Sequence, residues 1–119
     1  MGVELPSETI IGHRFVIEHI GGIVISGDAR IGDDCIIRNG VTIGLRNRGV
    51  RGSPQLGNRV DIGAGAKILG PIHIEDDCAI GANAVVLCDV PARSIAVGVP
   101  AHVLPRKHLQ GLMQDEIPR

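Results

Sequence analysis

An aliphatic residue returns every six positions along most of this chain, and that period restricts the fold more than any other feature. It runs through Ile31, Ile37 and Ile43, then Leu56, Ile62, Ile68, Ile74, Ile80 and Val86. Gly often follows it, at Gly32, Gly44, Gly57, Gly63 and Gly81. Four places after it stands something small or β-branched: Cys35, Val41, Val60, Ala66, Ile72, Cys78, Ala84 and Val90. Upstream the phase passes through Ile25, slips by two residues, and continues backward through Ile23, Ile17, Ile11 and Leu5. A helix needs apolar spacings of three and four that continue to seven and eight, and here they return to six. Gly and adjacent acidic pairs inside each window also count against helix.

Six residues suit a short strand plus a bend, with one side chain of each strand pointing inward. Three such units close a triangular coil, and stacked coils build an all-β, parallel solenoid. Thirteen hexads predict a prism of somewhat over four coils, about 20 Å tall at the ~4.8 Å strand spacing. Composition agrees with a narrow core: 17 Ile and 12 Val against one aromatic residue, Phe15. β-branched side chains favour strands and stack in ladders. Cys35 and Cys78 fall on inward positions and read as buried thiols. The coil is expected over residues 1–105, with a C-terminal tail over 106–119 that caps one end.

The period breaks between Ile43 and Leu56. Residues 44–55 hold three arginines, three glycines and a proline with no apolar phase, so a protruding loop is expected there. The second break is the two-residue slip, and His19 lies just before it in Ile17-Glu18-His19-Ile20-Gly21-Gly22. Irregularities in a regular scaffold tend to be kept for function. An imidazole with an unperturbed pKa near ~6.5 suits proton transfer at neutral pH. The other histidines, His13, His73, His102 and His108, read as surface residues.

Several function classes are disfavoured by composition. Twelve basic against 13 acidic residues leave a net charge of −1, so no global field favours nucleic acid. Aromatic base stacking is nearly unavailable. Three cysteines without zinc-like spacing point to reduced thiols and a cytoplasmic protein, with no metal expected. No apolar run approaches the ~18 residues of a membrane span.

The stretches "IEHIGGIVI", "ARIGDDCIIRNGVTIG", "IGAGAKILGPI", "AIGANAVVLCDVP" and "AVGVPA" closely resemble the C-terminal domain of serine acetyltransferases, among the hexapeptide-repeat acyltransferases. The chain is also similar to short acetyltransferases of exopolysaccharide synthesis, the colanic-acid type included. The resemblance implies a left-handed parallel β-helix, a homotrimer with active sites between subunits, and acetyl-CoA as co-substrate. It casts His19 as the general base that deprotonates the acceptor hydroxyl. Glu18 takes the place of the family's acidic residue, orienting the ring or favouring its protonated form. Gly44, Gly63, Ala64 and Ala82 match positions that line the coenzyme groove, although hexad bends need Gly or Ala whatever the ligand. Arg106 and Lys107, after "GVPA", are candidates for a coenzyme phosphate.

Two departures from that family matter. The chain is expected to begin directly at the first coil, without the family's substantial N-terminal helical domain. The family's Arg-His-Pro before the second block of repeats is Gly52-Ser53-Pro54 here, with Arg51 the nearest substitute for the arginine. An amino acid's carboxylate wants a bidentate cation, so the acceptor pocket looks rebuilt. The expected acceptor is therefore a hydroxyl of a saccharide or related small molecule, met by Asn39, Arg51 and Ser53. Arg46, Arg48 and Arg51 are available for a phosphorylated or acidic carrier. Serine is the alternative acceptor, and a non-catalytic hexapeptide scaffold is a further reading. A metal site of the γ-carbonic-anhydrase kind is disfavoured, because no two histidines have that class's spacing; His13 and His19 are six apart.

Overall fold

The computed structural model describes residues 2–47 and 49–106 of the 119-residue chain. It is a three-sided solenoid of five stacked coils. The first coil holds β1 (Val3–Glu4), β2 (Ile10–Ile11) and β3 (Val16–Ile17). The second holds β4 (Ile23–Ile25), β5 (Arg30–Ile31) and β6 (Ile36–Ile37). β7 (Thr42–Gly44), β8 (Gln55–Leu56) and β9 (Asp61–Ile62) form the third, and β10 (Lys67–Leu69), β11 (His73–Ile74) and β12 (Ala79–Ile80) the fourth. The fifth has β13 (Val85–Val86) and β14 (Ser94–Val97), with a single bridge from Val90 to Ile74 in place of a middle strand. β15 (His102–Pro105) then turns back antiparallel onto β14.

The three faces are the parallel sheets β1-β4-β7-β10-β13, β2-β5-β8-β11 and β3-β6-β9-β12-β14, the last extended by β15. Every aliphatic residue of the period from Ile31 to Val86 is buried, and so is each small or β-branched residue four places on. Each coil thus buries its side chains against the coils above and below, which removes apolar surface from water. The first coil has a neighbour on one side only. Ile11 and Ile17 are accordingly half-buried, and Leu5, read as an inward residue, is 45% exposed.

Register explains both breaks. Leu56 pairs with Ile74, and Ile62 with Ile80, so an uninterrupted coil takes 18 residues. Ile17 pairs with Ile37, a coil of 20, because His19 and Ile20 are inserted. Ile31 pairs with Leu56, a coil of 25, because the segment after β7 is inserted.

That insertion is shorter than the sequence suggests. Gly44 is the buried end of β7, and Gln55 begins β8. Ser53 and Pro54 are buried again, and Pro54 O accepts the Arg30 N–H at 3.2 Å. Gly44 and residues 53–55 thus belong to the coils and not to the excursion. Two features at the far end were not read from the sequence, the strand β14 that completes the fifth coil and β15. The hexad phase lapses after Val90, and antiparallel pairing carries no period-six signal. Lys107, His108 and the rest of the expected tail lie outside the described residues, as does Arg48.

Candidate functional site

The three corners of the prism differ in the residues that turn them. At the corner between the second and third faces, Arg14, Asp34, Arg59, Asp77 and Arg93 stack with φ values of 57–62°. Charges alternate up this column. Arg14 donates to both oxygens of Asp34 at 2.5 and 2.9 Å, and Arg59 to both of Asp77 at 2.6 and 3.1 Å. These hydrogen bonds hold the two carboxyls below the usual carboxylate range. A parallel column of side-chain oxygens caps backbone donors: Asp33 accepts from His13 N, Asn58 from Asp33 N and Asp76 from Asn58 N, at 2.7–2.8 Å. Room for this column exists because Gly32 lacks a Cβ, which would stand 2.5 Å from Gly57 O.

The corner between the third and first faces turns on Gly22, Gly40, Gly65 and Asn83, all at positive φ. Gly40 N donates to Gly21 O at 2.7 Å, Gly65 N to Asn39 O at 2.9 Å and Asn83 N to Ala64 O at 2.9 Å. The Lys67 ammonium ties the same column by donating to Gly40 O at 2.6 Å and Gly65 O at 2.9 Å. One level breaks this regularity. His19 and Ile20 bulge out between Glu18 and Gly21, with His19 at φ 76° and Ile20 72% exposed. A left-handed φ is uncommon outside Gly, though His is among the residues enriched there. Such backbone persists where neighbouring contacts impose it.

This corner gathers most of the residues singled out from the sequence. His19, Glu18 and Asn39 are exposed on it, and Gly63, Ala64 and Ala82 stack on the coils beyond. Small residues leave this edge open for close approach along the backbone. Gly44, Arg51 and Ser53 lie instead at the corner between the first and second faces. Gly44 O accepts the Gly70 N–H at 2.9 Å, and Arg51 is exposed on the excursion. Ser53 is 6% exposed, and its hydroxyl meets that of Ser26 at 2.8 Å. Within one chain, the first face separates the two groups.

The Glu18 carboxylate, expected to act on the imidazole directly, faces another partner. Its Oε1 lies 3.0 Å from Arg38 Nε, and among the described residues no hydrogen bond or ion pair joins it to His19. Arg38 and Asp61 were not singled out from the sequence. The available signal was the coil itself, since Glu18 and Arg38 stand 20 residues apart on successive coils. Arg106, a candidate for a coenzyme phosphate, sits at the charge-alternating corner, where its guanidinium donates to Asp77 O at 3.2 Å. The described residues contain no group of three His, Cys, Asp or Glu side chains placed to hold a metal ion. No described helix is long and apolar enough to cross a membrane.

Comparison with known proteins agrees with this architecture. Residues 53–88 match the family described as bacterial transferase hexapeptide (six repeats). A serine acetyltransferase of Mycobacterium tuberculosis is 48% identical over 104 residues, covering 87% of this chain and 45% of that protein. A serine acetyltransferase solved in complex with CoA has a TM-score of 0.80 and 42% identity, over 86% of this chain and 42% of that one. The soybean enzyme complexed with serine has a TM-score of 0.78 and 41% identity, over 82% of this chain and 40% of its own. The chain spans about half the length of the proteins it matches, or somewhat less. The likeness assigns the coil a left hand, opposite to the usual crossover preference. Its repeat, its five coils and these similarities make the chain a left-handed β-helix of hexapeptide repeats that is similar to serine acetyltransferases over nearly all of its own length.

Proposed function

We propose that this chain is an acetyl-CoA-dependent O-acetyltransferase in which His19 is the general base. One observation carries the reading: the glycine corner is regular except where a two-residue bulge presents an exposed histidine. An imidazole nitrogen of His19 takes the proton of the acceptor hydroxyl as its oxygen attacks the thioester carbon of acetyl-CoA. The tetrahedral intermediate then collapses, the C–S bond breaks, and the imidazolium returns the proton to the departing thiolate. Gly63, Ala64 and Ala82 would admit the pantetheine arm along the same corner. The reading includes a cytoplasmic homotrimer, in which a neighbour's excursion at positions 45–52 would complete the pocket beside His19.

Identities of 41–48% to serine acetyltransferases favour serine over a saccharide as acceptor. That reverses the order expected from the Gly52-Ser53-Pro54 departure. The saccharide reading keeps one observation in its favour, Gly52-Ser53 in place of the family's Arg-His; Ser53 itself is buried against Ser26 and offers little to either acceptor. A mass-spectrometric acetyl-transfer assay with acetyl-CoA, offering serine beside free, phosphorylated and nucleotide-linked sugars, separates the two. Acetylserine as main product upholds the serine reading; an acetylated sugar with serine untouched replaces it. Turnover of neither, with acetyl-CoA unbound, would leave a scaffold.

A further inference from the structure

The Arg38 guanidinium is the most enclosed charged group beside the bulge, with its side chain 13% exposed. Enclosing a cation on a thin solenoid is costly unless partners compensate it. Three do so, one on the first coil and two on the third. Arg38 Nε lies 3.0 Å from Glu18 Oε1 on the first coil. Its Nη1 donates to Asp61 Oδ1 and, at 3.1 Å, to Ile62 O on the third coil. Arg38 itself is on the second. Glu18 immediately precedes the bulge, and its N–H donates to Ile37 O at 2.9 Å. Beyond the bulge, Gly21 O accepts the Gly40 N–H at 2.7 Å. His19 and Ile20 are thus clamped to the second coil on both sides, and among the described residues the one side-chain clamp is Arg38.

We infer that Arg38 is a positioning residue for His19. It takes the Glu18 carboxylate onto its own guanidinium and fixes the base of the bulge, while Asp61 and Ile62 hold Arg38 in turn. Glu18 therefore acts on the histidine through the backbone it anchors. The catalytic part of this inference rests on the acetyl-transfer reading; the anchoring part does not.

The test compares Arg38→Met, Arg38→Lys, Glu18→Gln and the Glu18→Gln/Arg38→Met double variant with the wild type. Arg38→Met is expected to lower kcat about tenfold or more, as small misplacements of a reacting group do, with the KM for acetyl-CoA within about twofold. Arg38→Lys should restore only part, because an ammonium cannot fork between two partners. The double variant should be no slower than Arg38→Met, since both changes cut one linkage. Amide exchange at Glu18 and Gly40, which flank the bulge, should quicken in Arg38→Met while exchange at Arg59 holds. Wild-type kcat in Arg38→Met, or additive losses in the double variant, would overturn the inference. Should Arg38→Met fail to fold, Glu18→Gln carries the test and must show the same loss of kcat. Should the wild type transfer acetyl to nothing, the acetyl-transfer reading falls, and exchange alone decides: unchanged rates at Glu18 and Gly40 overturn the anchoring, faster rates uphold it.

Discussion

Two corners of this prism use the same left-handed backbone turn for different ends. At the corner of Arg14, Asp34, Arg59, Asp77 and Arg93, each level repeats the same turn, Arg14 pairs with Asp34 and Arg59 with Asp77 on the next coil, and side-chain oxygens cap the backbone donors. At the corner of Gly22, Gly40, Gly65 and Asn83, side chains are small and one level carries two extra residues. The first corner leaves little exposed chemistry unpaired. The second holds an exposed imidazole on a bulge that the rest of the corner keeps in place. A solenoid can concentrate irregularity at one level because the coils on either side remain in register.

The sharpest test of that division is His19→Ala, expected to cost about 10²–10⁴-fold in kcat with thermal stability unchanged. Deleting His19 and Ile20 together should abolish turnover equally. It returns the coil to 18 residues and removes an exposed Ile, so Tm should hold or rise. A fall in Tm would show that the bulge contributes packing and would blur the comparison.

The opposite pattern is expected at the charge-alternating corner. Gly32→Ala puts a methyl against the Gly57 backbone. It should destabilise by about 1–3 kcal/mol in urea unfolding, as overpacking does, while kcat per folded molecule is kept. A smaller effect concerns acid. Asp34 and Asp77 are held below the usual carboxylate range by hydrogen bonds from Arg14 and Arg59. Their contribution is present above the unfolded carboxylate pKa near ~4 and is lost as pH falls through the lowered folded values. The double variant Asp34→Asn/Asp77→Asn should lower Tm at neutral pH by about 1–3 °C and flatten its decline in acid. An unchanged acid profile would remove these pairs from the stability of the corner.

The smallest readout is thiol labelling. Cys35 and Cys78 lie directly inside that corner; burial pushes both thiols up, and Cys88 is exposed. In the native protein a thiol dye should react promptly at Cys88 alone. Prompt reaction at Cys35 would mean that the corner opens.

Much of this was legible in the chain, for identifiable reasons. The ladder from Ile31 to Val86 is a local pattern, so its inward direction followed from spacing alone. Both breaks were visible as lost phase, at His19 and after Ile43. Their consequences were less visible. Ser53 looked like part of an exposed loop because its stretch keeps no apolar period, and its partner Ser26 is 27 residues away. Arg106 looked free for a phosphate until Asp77 O appeared beside it. Glu18 took the part of a direct partner of His19 from the family resemblance, whereas its carboxylate faces Arg38 on the next coil.

A three-sided coil with an aliphatic interior, and the two places where it departs from its period, follow from the order of residues alone. A residue's inward or outward direction depends on its own hexad, which needs no knowledge of distant parts. Which residues meet across coils is set by the stacking itself: Arg38 with Glu18 and Asp61, Ser53 with Ser26, β15 with β14. Those meetings depend on how many residues each coil consumes, whether 18, 20 or 25, and side-chain reach then selects the partner.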